Sequence, residues 1–187
     1  MEDILLTNGE LYDKIKVHQL GLQHYAFSVF LFNEKDELLL QQRAISKYHS
    51  GGLWSNTCCS HFRNNEEFKC KEDVIKLRLK DELGINFNNK LTYLTTFNYK
   101  KAVKANTSDN KNYLIENEVD DIFVGKISLH KRLFLNNAEV AETKFVNFNY
   151  IVEDVKNNPS IYSQWFIEIM KNDIIIAKMI KYLKKYC

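Results

Sequence analysis

The sequence predicts one domain of the α+β (mixed α/β) class, a sheet sandwich with flanking helices and C-terminal helices. Three observations carry this reading. Strand-like segments fill residues 4–61 and recur between 91 and 148, one helical spacing stands in the middle at 72–83, and amphipathic helical spacing returns after the single proline, Pro159. With 187 residues, 45% of them hydrophobic and 13% aromatic, the chain can bury one substantial core but is short for two. No repeat or linker interrupts it.

The elements follow in order. Ile4 to Leu6 reads as a strand, Asn8-Gly9 as a tight turn, and Glu10 to Val17 as a second extended stretch. Tyr25 to Phe32, the polar turn Asn33-Glu34-Lys35-Asp36 and Leu38 to Leu40 form a hairpin of buried strands. Residues 46–52 are a loop, and Leu53 to His61 is extended. A helix is predicted over Glu72–Leu83 from the spacing of Val74, Ile75, Leu77, Leu79 and Leu83, with Gly84 where a C-cap belongs. Two strands, Leu91–Tyr99 and Glu116–Ile127, flank a polar stretch, Lys100–Asn112, read as an exposed loop. A last strand at Lys144–Phe148 precedes the Pro159-Ser160 break and helices near Ser163–Met170 and Asp173–Tyr186.

Composition excludes several classes of function. Lys and Arg total 26 against 24 acidic residues, and a net charge of +2 lacks the basic field of a nucleic-acid binder. The four cysteines, Cys58, Cys59, Cys70 and Cys187, form no disulfide framework, since the first two are adjacent. Met1-Glu2-Asp3 opens neither a secretory signal nor an Arg-rich transit segment, and no run approaches the ~20 apolar residues of a membrane span. A cytoplasmic monomer with reduced thiols is expected.

Chemistry concentrates in a few places. If Trp54-Ser55-Asn56-Thr57-Cys58-Cys59-Ser60-His61 is extended, alternation puts Thr57, Cys59 and His61 on one face and Cys58 and Ser60 on the other. The same alternation sends Glu116 and Glu118 to one side, where two carboxylates repel unless a cation joins them or one keeps its proton. Alone, such a cysteine is more often a small hydrophobe, and such glutamates are more often solvated. His18, His24 and His61, with the two glutamates, would offer nitrogen and oxygen ligands to Zn²⁺, Mn²⁺ or Mg²⁺; His49 and His130 have no comparable partners. Lys14, Arg43, Lys47 and Arg78 could chelate a diphosphate, and no glycine-rich phosphate loop is present.

Read together, Ala26 to Asn33, Leu39-Leu40-Gln41-Gln42-Arg43-Ala44, Leu53 to His61, Glu82-Leu83-Gly84-Ile85 and Glu116-Asn117-Glu118-Val119 closely resemble the type I isopentenyl-diphosphate isomerases. The order and spacing match from residue 4 to about 170. The resemblance implies a Nudix-like fold and interconversion of isopentenyl and dimethylallyl diphosphate. It makes Cys59 and Glu118 the catalytic pair, with Tyr99 beside the glutamate. It makes His18, His24, His61, Glu116 and Glu118 ligands of a divalent metal, and gives Glu82 a part in holding a Mg²⁺ carried by the diphosphate. Lys14, Arg43, Lys47, Ser60 and Arg78 become substrate contacts, and Trp165 an aromatic face near the reacting carbons. The family usually has proline where Gly51, Phe62 and Gln164 stand here.

The chemistry implied by the family explains these residue types. Protonating an unactivated alkene makes a tertiary carbocation, so the site needs a positioned acid, exclusion of water and stabilisation of positive charge. Glu118 relaying through Tyr99 would deliver the proton, and Cys59 would remove another as a thiolate, its pKa lowered by nearby cations. Two other readings are weaker. A Nudix hydrolase wants an Arg-Glu-x-x-Glu-Glu helix, of which Leu77-Arg78-Leu79-Lys80-Asp81-Glu82 keeps only the last acidic pair. A non-catalytic zinc module of Cys58, Cys59, Cys70 and His61 lacks any Cys-x-x-Cys.

Overall fold

A computed structural model describes residues 2–105 and 113–185. A short antiparallel pair, β1 (Asp3–Leu5) and β2 (Leu11–Asp13), leads into helix α1 (Lys14–Leu20). The main sheet contains β3 (His24–Phe32), β4 (Glu37–Arg43), β5 (Trp54–Ser55), β6 (Cys58–His61), β7 (Thr92–Lys104), β8 (Tyr113–Lys126) and β9 (Val140–Asn147). Helices α2 (Asn65–Lys69) and α3 (Lys71–Leu83) follow β6; α4 (Phe148–Asn157), α5 (Gln164–Met170) and α6 (Asp173–Lys185) close the chain, with a 3-10 turn at Pro159–Ile161.

Strand β3 organises both layers because its side chains alternate. Phe30 and Phe32 pack with Leu38, Leu40, Ile122 and Val124 against the terminal helices, through Phe148, Phe166, Ile169 and Met179. Phe27, Val29 and Leu31 point the other way, onto Val74, Ile75, Leu79 and Leu83 of α3. The result is a sheet between two helical layers, as the pattern predicts.

The β3–β4 hairpin pairs at Phe32 and Leu38 and then opens. Residues 54–61 enter the gap: β5 pairs with β4 and β6 pairs with β3. At the crossing, the Thr57 hydroxyl donates to the Leu39 carbonyl at 2.6 Å and accepts from the Leu31 N–H at 2.9 Å. One side chain therefore satisfies backbone groups on both diverging strands, which would otherwise be buried without partners.

Several expectations need correction. The extended stretch to Val17 stops at Asp13, whose carboxylate accepts from the Lys16 N–H and caps α1; Gly21, at φ 64°, ends that helix. This fold-back brings His18 inward. Helices α2 and α4 were not expected, and Phe148 opens α4 rather than closing β9. Leu77, counted on the apolar side of α3, is 55% exposed, and Glu82 occupies the buried side instead. Of the loop read at 100–112, residues 100–104 continue β7, while 106–112 lie outside the described residues, as do Tyr186 and Cys187. Among the described residues, no helix is long and apolar enough to cross a membrane.

Candidate active site

Three strands side by side build the site. β3 pairs antiparallel with β6, setting Ser28 opposite Cys59 and Ala26 opposite His61. On its other edge β3 runs parallel to β8, setting His24 opposite Glu118. His18 joins from α1. The ligand atoms of His18, His24, His61 and Glu118 all lie within 4.8 Å of one another.

The local bonding orients this group. His18 Nδ1 lies 2.7 Å from the Lys14 carbonyl and His24 Nδ1 lies 2.9 Å from the Leu22 carbonyl, so each Nδ1 carries the proton and each Nε2 presents a lone pair. Both Nε2 atoms are buried without a hydrogen-bond partner. Two orphaned imidazole nitrogens facing a carboxylate are what a divalent cation would satisfy, and the nitrogen and oxygen donors suit one. Burial, reinforced by repulsion from His24, lowers the His18 pKa to about 4. Burial likewise lowers His61 to about 3, although the Glu118 hydrogen bond opposes it. Both rings are neutral and ready to ligate at physiological pH.

Glu116, expected among the ligands, stands one step away. The Tyr99 hydroxyl, buried on β7, lies 3.0 Å from Glu116 Oε2 and donates to Glu118 Oε2 at 2.9 Å. Burial and the Glu118 charge push the Glu116 carboxyl well up. Burial acts on Glu118 in the same sense, but the His61 ring 3.0 Å away and the neighbouring His24 ring outweigh it and hold that carboxyl well below its usual range. The two carboxyls are thus pushed in opposite directions, with the phenol between them. Because a hydroxyl has a single hydrogen, both contacts are hydrogen bonds only when one of the two carboxyls carries a proton.

An open cleft reaches this centre, lined among others by Lys14, Arg43, Lys47, Cys59, Ser60, His61, Arg78, Glu82, Glu116, Glu118 and Trp165. Of the predicted site residues, Tyr99, His18 and His24 lie behind the cleft wall rather than on it. Cys59 is half-buried on the side of the terminal helices, whereas Cys58 packs toward α3. The expected lowering of its pKa is reversed: burial pushes the Cys59 thiol up, with Arg43 acting only partly against it. Glu82 accepts from Arg78 at 2.5 Å and from Gln41 at 3.0 Å. Trp165 donates to Asn56 Oδ1 at 3.0 Å, and the Arg43 guanidinium lies over its ring, 5.0 Å from the centroid.

Sequence reasoning missed His49. It is 3% exposed, its Nε2 lies 3.6 Å from Glu116 Oε1, and its ring meets Trp165 edge-on. Its loop folds back through an antiparallel bridge to Ala105, just past β7, a long-range contact with no local signal. Glu139 was missed for the same reason, whereas Gln41 lay inside a matched block.

Comparison with known proteins places the chain. The NUDIX domain family model matches residues 22–166. The chain is 40% identical over 152 residues to isopentenyl-diphosphate Delta-isomerase 2 of Aromatoleum aromaticum, covering 81% of this chain and 73% of that protein. It is 37% identical over 164 residues to the isopentenyl-diphosphate Delta-isomerase of Serratia proteamaculans, covering 85% and 81%. The chain belongs to the isopentenyl-diphosphate Delta-isomerase family. Solved structures agree on the NUDIX fold alone. A Deinococcus radiodurans protein aligns with TM-score 0.66 at 11% identity over 91% of this chain and 96% of its own. The MutT protein of Methanosarcina mazei Go1 aligns with TM-score 0.58 at 15% identity over 86% and 95%.

At Gln164 and Phe62, where the resemblance led to an expectation of proline, other side chains are built into the fold. Gln164 is the first residue of α5, a position whose N–H has no partner within the helix, and its side chain donates to Glu168 at 2.7 Å. Phe62 is fully buried between Phe27 and Phe68.

Proposed function

We propose that the chain interconverts isopentenyl and dimethylallyl diphosphate by adding a proton to one carbon of the alkene and removing one from another. The observation that carries this is that Cys59 and Glu118, on strands flanking β3, line one cleft. Lys14, Arg43, Lys47 and Arg78 give that cleft the charge to hold a diphosphate, with Ser60 beside them.

His18, His24, His61 and Glu118 would hold a divalent metal, Zn²⁺, Mn²⁺ or Mg²⁺, with Glu116 across the Tyr99 hydroxyl. Bound there, the cation supplies positive charge that strengthens the neighbouring acid. Glu82 keeps free lone pairs on the cleft wall to help bind a Mg²⁺ carried by the diphosphate. Burial favours a proton on Glu116, and such a proton would pass through Tyr99 toward Glu118 and the terminal alkene carbon, whose π pair forms the new C–H bond. Cys59 accepts the proton lost from the second carbon, whose C–H pair becomes the new double bond. Because burial favours its neutral form, Cys59 must ionise inside the filled cleft to act as base, and Arg43 is the side chain that assists. In the reverse direction the neutral thiol is already the donor.

The test is to incubate the protein with Mg²⁺ and isopentenyl diphosphate and follow the acid-labile product. Formation of dimethylallyl diphosphate, lost in Cys59→Ala and Glu118→Gln, supports the reading. Release of phosphate would favour a hydrolase, and stoichiometric Zn²⁺ without turnover a structural metal site.

A further inference from the structure

The four basic residues of the cleft are not equally available to an anion. Lys14 pairs with Glu2 at 3.0 Å, and Arg78 pairs with Glu82 at 2.5 Å. Glu139, a cleft-lining residue just before β9, lies 2.7 Å from Lys47 and 3.7 Å from Arg78. Its backbone is fixed by bonds to Ala44 and Asn136, so its carboxylate is held between those two cations. Arg43 differs: among the described residues no carboxylate lies within ion-pairing distance, its Nε has no hydrogen-bond partner, and an Nη donates to the His49 carbonyl at 3.4 Å.

We infer that Glu139 is an internal competitor for the substrate's phosphates, a built-in anion that occupies Lys47 and Arg78 until a diphosphate displaces it. The inference rests on the diphosphate reading of the cleft given above. An arriving diphosphate finds Arg43 without a carboxylate, must exchange with Glu139 for Lys47, and competes with Glu139 at Arg78, which Glu82 holds more closely. Glu139 therefore lowers affinity for substrate and product alike, which favours release; a carboxylate placed against the ligand sets affinity by opposition as well as attraction. Glu139 differs in this from Glu82, whose second oxygen is tied to Gln41.

The test measures pyrophosphate binding by calorimetry to the wild-type protein, Glu139→Gln and Lys47→Met, each with and without Mg²⁺. Glu139→Gln keeps the shape and removes the charge, and the side chain is 27% exposed, so folding should survive; a melting curve checks it. The expected result is tighter pyrophosphate binding in Glu139→Gln, on the order of two- to fivefold both with and without Mg²⁺. Lys47→Met should weaken binding, and adding Glu139→Gln to it should recover less than in the wild-type background. Unchanged binding in Glu139→Gln would overturn the inference. Weaker binding only with Mg²⁺ would overturn it too, by making Glu139 a metal ligand. If the wild-type protein bound no pyrophosphate, the diphosphate reading itself would fall, a result distinct from either.

Discussion

Cys59 and Glu118 sit on β6 and β8, the two strands that flank β3, and both line the same cleft. Their side chains come from segments 59 residues apart in sequence, and the register of one shared strand brings them to one site. Replacing either should lower isomerase turnover by at least roughly 10²-fold, the scale of a positioned acid or base. Cys59→Ser and Glu118→Gln, assayed for dimethylallyl diphosphate formation, check this. Turnover within tenfold of wild type in either variant would remove that residue from the chemistry.

Tyr99 is the hinge of the carboxylate pair. Tyr99→Phe deletes the hydroxyl that bonds both Glu116 and Glu118 and leaves buried oxygens short of a donor, which costs about 1–3 kcal/mol. Urea unfolding should show that loss, and turnover should fall with it. A variant as stable and as fast as wild type would mean that the phenol carries no proton.

The metal group and its near neighbour should separate cleanly. His24→Ala removes a nitrogen of the cluster and should abolish the rise in melting temperature that Zn²⁺ or Mn²⁺ gives the wild-type protein, because a ligand stabilises only the state it binds. His49→Ala, outside the cluster, should keep that rise. Equal loss in both would place His49 among the ligands.

With a chelator present, the buried histidines make stability depend on pH. His18 and His61 titrate at about 4 and about 3 when folded, below the ordinary value of 6.5, so between those limits the unfolded chain binds more protons. Stability should rise with pH from about 3 to about 6.5, with both histidines contributing above about 4, and be lost as pH falls through that window. His18→Gln should flatten the slope in urea titrations. An unchanged slope would show that His18 is not what titrates.

Gly84 ends α3 at φ +66°, and a Cβ there would meet Phe134 Cβ at 2.6 Å and its carbonyl oxygen at 2.9 Å. Gly84→Ala should cost about 2–4 kcal/mol, from the left-handed backbone together with the clash. Thermal melting measures it.

The sequence was legible where chemistry and local pattern coincide. The alternation of β3 and the C-cap at Gly84 are local signals, and they stand as read. The matched blocks also placed Cys59, His61, Glu116 and Glu118 around one centre. It was less legible where long-range contact decides. Nothing near Glu10–Val17 says that Asp13 will cap a helix and swing His18 inward, and nothing near His49 announces the bridge to Ala105. Leu77 shows the limit of spacing alone, since mixed three- and four-residue steps admit more than one apolar face. The Cys59 pKa was misjudged because charges are visible in a sequence and desolvation is not.

The single hydroxyl of Thr57, wedged where β3 and β4 part, ties the cavity to the core. Several strands that frame the cavity also carry residues of both hydrophobic layers, so that part of its wall loosens only with the core. Heat should therefore extinguish catalysis and compactness together, and a Thr57→Val protein should lose both at a lower temperature than wild type. Selection for faster turnover in this scaffold would then have to act on the rim residues, because the walls belong to the foundation.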